Sequence, residues 1–117
     1  MKLFVGNESY LQFYLQSTFT YPYRLKSAVR NTHYCGGDTN TTGGLRLART
    51  EIFNAVNGDR PEVPNVIVLI TGSNPSRDTD LLADEVQLIK SLGITIIVVG
   101  VGNQVRECAM LTTYPRR

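Results

Sequence analysis

No stretch of this chain is apolar for long enough to cross a membrane, so membrane insertion is not expected. A strong imbalance between positive and negative charge is missing too. Twelve Lys and Arg against ten Asp and Glu leave a net charge of +2. That balance calls for neither nucleic acid nor an anionic membrane surface. The closing Arg116-Arg117 pair reads as a solvated tail. Cysteine is scarce, and two in a small chain make no disulfide framework. Cys35 and Cys108 either pair in an oxidising compartment or stand as two small apolar residues; we adopt the second reading. Histidine occurs once, at His33. A loop or surface role fits it best. The N-terminal stretch Met1–Glu8 turns polar too soon for the core of a signal peptide. Taken literally, the chain is soluble and not secreted. Internal repeats and low-complexity segments are absent as well.

What remains is a globular composition, 42% hydrophobic and 19% charged over 117 residues, enough for one domain with one core. Lys2–Val5 and the alternating Ser9–Leu15, joined by Gly6-Asn7-Glu8, read as a β-hairpin. Tyr21-Pro22-Tyr23 reads as a loop. Arg24–Asn31 follows as a short helix expected to bury Leu25, Ala28 and Val29. Gly43–Asn57 reads as one helix with Leu45, Ala48, Ile52 and Ala55/Val56 on its inner face. Thr41 or Thr42 is the expected N-cap and Gly58 the C′ residue. Asp59–Pro64 is a loop. Asn65–Thr71 is apolar on both faces, as in a central parallel strand. Asp78 or Asp80 is expected to cap a helix that buries Leu82, Val86 and Ile89 and stops at Gly93. Ile94–Val99 is a second strand of the same kind. Glu107–Leu111 starts a last helix. Strands alternating with helices predict an α/β fold of three layers, with a mainly parallel sheet and an antiparallel N-terminal edge hairpin.

The stretch Cys35–Leu45 is a small, hydroxyl-rich loop running into a helix. Beside it, at the carboxyl end of the first parallel strand, comes Thr71-Gly72-Ser73. A crevice outside the carboxyl ends of parallel strands is a usual ligand site. Asp38, Thr39, Asn40, Thr41, Gly72 and Ser73 are therefore the candidate ligand-binding residues. The bland reading of Thr39, Thr41 and Thr42 is that they satisfy turn and cap backbone groups. Thr71-Gly-Ser-Asn74 offers N–H groups to a phosphate. There is no Walker lysine, however, and Gly100-Val-Gly102 lacks the third Gly of a dinucleotide loop. No nucleophile–base pair can be assembled, so no catalytic residue is assigned and the chain is not expected to be an enzyme. Asn7-Glu-Ser9 and Asn40-Thr-Thr42 are glycosylation acceptor triplets, meaningful only on a secreted chain. Tyr10, Tyr14, Tyr21 and Tyr23 are either a sticky aromatic surface or ordinary edge-hairpin residues.

Several segments together carry a resemblance. Gly36-Gly-Asp-Thr-Asn-Thr41, Phe53–Arg60, Val66–Thr71 and Ile94–Gly102 resemble the von Willebrand factor A domain, a family that includes the integrin I domain. The resemblance implies a Rossmann-like fold and a metal-ion-dependent adhesion site. In the family, an Asp-x-Ser-x-Ser motif, a Thr and an Asp at a strand tip hold Mg²⁺, and a partner often supplies a further carboxylate. Thr39 matches the family's Thr. Gly72 stands where the Asp would be, and the sequence contains no Asp-x-Ser-x-Ser. Thr39 is thus expected to be a vestigial ligand, and no Mg²⁺ or other cofactor is expected to bind.

By the same comparison, the sequence starts near the family's second strand and stops inside its last helix. Residues 1–117 are therefore expected to be a single partial domain. The implied function is a non-enzymatic protein-binding module of the adhesion or matrix type. Its partner would be a collagen or another matrix protein, and its location extracellular if it belongs to a longer secreted precursor. The alternatives are a nucleotide- or phosphate-binding Rossmann-like enzyme, or an inactive fragment of a larger protein. The family's missing strand would leave Val66–Ile70 with a bare edge. Lys2–Val5 is expected to slide over and fill it, giving the order Ser9–Leu15, Lys2–Val5, Asn65–Thr71, Ile94–Val99. The other two outcomes are a strand donated by a second chain and a chain that is only marginally folded.

Overall fold

The computed structural model describes residues 2–5, 9–13, 21–32, 38–75 and 78–102. Expectations for His33, Cys35, Cys108, the turn at residues 6–8, the end of the second hairpin strand and the helix at residues 107–111 lie outside them.

Strands β1 (Lys2–Val5) and β2 (Ser9–Phe13) form the expected antiparallel hairpin, with Leu3 opposite Leu11 and Val5 opposite Ser9. Helix α1 (Pro22–Arg30) begins two residues earlier than predicted. Pro22 sits in its first turn, where a fixed φ and a missing N–H cost nothing. The helix buries none of its residues, so the predicted burial of Leu25, Ala28 and Val29 is corrected. The amphipathic pattern is there, but the core is built without this helix.

The predicted helix from Gly43 to Asn57 is three pieces. Helix α2 (Thr41–Leu47) passes into a π turn over Ala48–Ile52, and a separate 3₁₀ turn covers Ala55–Asn57. The Phe53 N–H donates to the Ala48 carbonyl, five residues back. Asn54 breaks the run. Its backbone is extended and its side chain accepts from the Val56 N–H at 3.0 Å, an alternative to continuing the helix. Leu45, Ala48 and Ile52 are buried as predicted; Ala55 and Val56 are exposed. Gly58 closes the 3₁₀ turn at φ 95°, the left-handed conformation that favours glycine.

Strands β3 (Val66–Thr71) and β4 (Thr95–Gly100) pair in parallel, from Val66 opposite Thr95 to Thr71 opposite Gly100. Helix α3 (Leu82–Ser91) lies between them in sequence and buries Leu82, Val86 and Ile89. Asp84 and Glu85 in its first turn suit the positive end of the helix dipole. At the far end, the Gly93 N–H donates to Lys90 and the Ile94 N–H to Ile89, with Gly93 at φ 76°. That is the Schellman closure, and its apolar contact between Ile94 and Ile89 falls inside the core.

Leu45, Leu82, Val86, Ile89 and Ile94 form that core, with Phe53, Ile67, Leu69, Ile96 and Val98 packed against it. The helices thus cover one face of the parallel pair. On the other face Val68, Ile70, Ile97 and Val99 are exposed. The α/β class holds, with the parallel pair and the antiparallel hairpin as two separate two-stranded sheets. The predicted continuous order is therefore corrected: β1 pairs with β2 and β3 with β4, and no described strand lies on the second edge of β3. Helix α2 instead lies against both hairpin strands. No helix among the described residues is long and apolar enough to cross a membrane.

Candidate functional site

The loop before α2 and the loop after β3 come together as the sequence predicted. The Thr39 and Ser73 hydroxyls, 34 residues apart in sequence, lie 2.7 Å from each other. Ser73 is itself set by Thr71. The Thr71 hydroxyl donates to the Ser73 carbonyl at 2.7 Å, while the Ser73 N–H approaches that hydroxyl at 3.4 Å. This local hydroxyl turn fixes the chain as it leaves the strand.

Neither predicted Thr is the N-cap of α2. The cap is Asn40, whose Oδ1 accepts from the Gly43 N–H at 2.8 Å. Asn ranks above Thr as an N-cap residue. A Cβ on Gly43 would stand 2.8 Å from Asn40 Oδ1, so the capping side chain would have to shift. Thr41 and Thr42 are buried in the first turn. The Thr42 hydroxyl donates to the Asp78 carbonyl at 2.9 Å and so ties α2 to the segment before α3.

The predicted carboxylate caps are also corrected. Asp78 occupies the N-cap position of the 3₁₀ turn Thr79–Leu81 but makes no side-chain capping bond. Leu81 holds that position for α3, equally without one. Asp78 adopts φ 49°, tolerable for Asp, and contributes its backbone carbonyl instead.

Of the six candidate ligand residues, Asp38 and Gly72 are exposed and Thr39, Asn40 and Ser73 half-buried. Thr41 supports the loop from inside. Gly72 is not required by the backbone, since its φ is outside the left-handed region. A Cβ there would meet only the Val101 carbonyl, at an ordinary 3.6 Å. The side-chain oxygens shown at the meeting of the two loops are neutral: the hydroxyls of Thr39, Ser73 and Thr71 and the amide oxygen of Asn40. Among the described residues, no three His, Cys, Asp or Glu come together.

Behind the loop, α2 and the π turn that follows it are locked to α3. Glu85 is only 3% exposed, and its carboxylate accepts from Arg49 Nε at 2.6 Å and Nη2 at 3.2 Å, with Arg46 Nε at 3.6 Å. The hydrogen bond to Glu85 raises the Arg49 guanidinium above its ordinary value, against an opposing effect of burial. A buried carboxylate requires such pairing. The sequence reading missed this brace. Its signal was the placement of Glu85 on the same helical stripe as Leu82, Val86 and Ile89.

The model of the von Willebrand factor type A domain matches residues 4–112. The chain is 32% identical over 98 residues to mouse von Willebrand factor A domain-containing protein 1, covering 84% of this chain and 23% of that protein. It is 34% identical over 83 residues to chicken matrilin-1, covering 71% and 16%. The chain thus spans about a fifth of the length of these relatives. Among solved structures, proximal thread matrix protein 1 from the mussel byssus superposes with a TM-score of 0.85 at 21% identity, over 95% of this chain and 29% of that one. A form of the same protein with a zinc-occupied MIDAS (metal-ion-dependent adhesion site) motif superposes at 0.77 and 24% identity, over 93% of this chain and 26% of that one.

Proposed function

We propose, because this chain belongs to the von Willebrand factor type A domain family, that it is a non-enzymatic protein-binding module of the matrix or adhesion type. Its ligand surface is the loop pair Asp38, Thr39, Asn40, Gly72 and Ser73, with Thr41 as internal support. The partner is a matrix protein such as a collagen, and the setting is extracellular if the chain is part of a longer secreted precursor. Family membership together with matrix relatives supports the protein-binding class.

The loop geometry supports a finer reading, that this surface binds without a divalent cation. Mg²⁺ demands near-octahedral oxygen ligands and dehydrates reluctantly, so carboxylates normally anchor it. At the tip of β3 stands Gly72, which has no side-chain oxygen. The one hydroxyl that matches the family's ligand, Thr39, is already 2.7 Å from Ser73 Oγ. A cation would have to displace that contact and gain a neutral ligand in return. The Thr39–Ser73 contact is the single observation that carries the proposal.

Titration calorimetry with Mg²⁺, Mn²⁺ and Zn²⁺ tests it, beside binding to immobilised collagen with and without chelator. No one-to-one site in the micromolar range is expected, and chelator leaves collagen binding unchanged. Gly72→Asp alone does not restore tight binding, although a Cβ at that position meets only the Val101 carbonyl, at 3.6 Å. A stoichiometric micromolar site in the unmodified chain overturns the metal-free reading. Chelator-resistant absence of collagen binding overturns the choice of partner.

A further inference from the structure

Residues 9–37 contain no Asp or Glu, yet they hold Arg24, Lys26 and Arg30. All three cations fall on α1, which buries none of its own residues. None of the three forms an ion pair among the described residues. The helix is also amphipathic. Leu25, Ala28 and Val29 recur at i, i+3 and i+4 on one side. Leu25 is 38% and Val29 41% exposed. On a helical projection Arg24 flanks this stripe on one side and Lys26 and Arg30 on the other. At the N-terminal end, Tyr21 and Tyr23 stack with ring centroids 5.8 Å apart and an interplanar angle of 21°, and both are largely exposed. The stack limits their rotamer freedom before any partner arrives, which lowers the ordering cost of binding.

We propose that α1 is a second interaction surface, which docks an acidic protein segment bearing aliphatic side chains. The aliphatic groups cover Leu25 and Val29, and the carboxylates face Arg24, Lys26 and Arg30, with Tyr23 at one end. The charge complementarity is one-sided, since no acid of α1 opposes an approaching carboxylate. Tyr and Arg are the residue types that concentrate binding energy in protein interfaces. A polyanionic glycan would satisfy the cations and leave the apolar stripe in water. A bilayer would need more apolar area than two large aliphatic side chains on a nine-residue helix provide. The surface uses none of the residues of the Thr39–Ser73 loop pair and does not depend on their role.

Fluorescence anisotropy tests this on the whole 117-residue chain. The probe is a fluorescein-labelled helical peptide of Glu, Leu and Ala, with Leu at every third and fourth position. The comparison probes are the same peptide with Ser for Leu, heparin, and phosphatidylcholine vesicles containing phosphatidylserine. The Glu/Leu peptide is expected to bind about tenfold more tightly than its Ser counterpart. Leu25→Ser/Val29→Ser and Arg24→Glu/Lys26→Glu/Arg30→Glu should each weaken it about tenfold or more. In the charge-reversed chain the salt dependence should also invert, because salt then screens a repulsion and no longer an attraction. Equal binding of both peptides, binding of heparin in preference to the Glu/Leu peptide, or capture by vesicles overturns the proposal. So does a Glu/Leu affinity that neither variant changes. Amide shifts in the unsubstituted chain keep the test independent of variant folding. They must concentrate in residues 21–32 on adding the Glu/Leu peptide, and shifts concentrated elsewhere overturn the proposal.

Discussion

The two faces of the β3–β4 pair are built from the same few residue types, yet their surroundings differ. Ile67, Leu69, Ile96 and Val98 point toward α2 and α3 and join the core. Val68, Ile70, Ile97 and Val99 point the other way and are exposed. Burial here is decided by which elements arrive, not by strand chemistry. Both helices that the described core uses arrive on one side. Removing apolar area from water is worth about 25 cal/mol per Å² only where something covers it. Substitutions on the two sides of the sheet should therefore have unequal effects.

The largest effect is expected at the centre of the covered side. Ile89 is fully buried, touches the core and supplies the carbonyl that closes the C-terminus of α3. Ile89→Ala should cost about 2–5 kcal/mol, the range for truncating a buried aliphatic side chain. Urea unfolding checks it. A loss well under 1 kcal/mol would mean that the covered side is loosely packed, and the contrast between the faces would collapse.

The brace behind the loop comes next. Arg49→Met removes the bidentate partner of a buried carboxylate and leaves Glu85 with Arg46 alone, at 3.6 Å. Breaking a fully buried pair costs about 3–5 kcal/mol, but Arg46 is half exposed and free to move closer, so about 2 kcal/mol is expected. The double variant Arg49→Met/Glu85→Leu should recover most of that loss, because no buried charge remains. If the double variant is as unstable as the single one, packing and not charge holds α2 to α3.

Much of this framework was legible in the sequence. The stripe Leu82, Val86, Ile89 ending at Gly93 fixes α3, because periodicity and a left-handed glycine act locally. The two β-branched runs flanking it predict the parallel pair for the same reason. Local signals say which side of an element is apolar but not whether a partner meets it. That is why α1 was expected to bury Leu25 and Val29, and why the outer face of β3 was expected to be covered. The break in the helix after Ile52 went unseen because it depends on one side chain, Asn54, bonding its own backbone. At the candidate site, the approach of Thr39 to Ser73 followed from the strand-end rule of parallel sheets, since no local pattern links residues 34 positions apart. The Asn40 cap was readable: Asn outranks Thr there, and a glycine stands three residues on.

The smallest expected effect gives the sharpest test. Val98 and Val99 are consecutive on β4 and point to opposite faces, the first against the core and the second 42% exposed. Replacing each by Thr keeps the β-branched shape and adds one hydroxyl. At Val98 that hydroxyl must be taken out of water or seek a bond in an apolar setting, which costs about 1–3 kcal/mol by comparison with buried polar groups in other proteins. At Val99 water already reaches the side chain, so the change should stay within about 0.5 kcal/mol. The two variants share strand and propensity, so the difference between their urea midpoints reports coverage of the face. Equal losses at both positions would put a cover over the outer face in solution. That cover would be a further part of the same protein or a second chain, and sedimentation over a range of concentrations would tell which. A loss at Val98 alone leaves the outer face open to water.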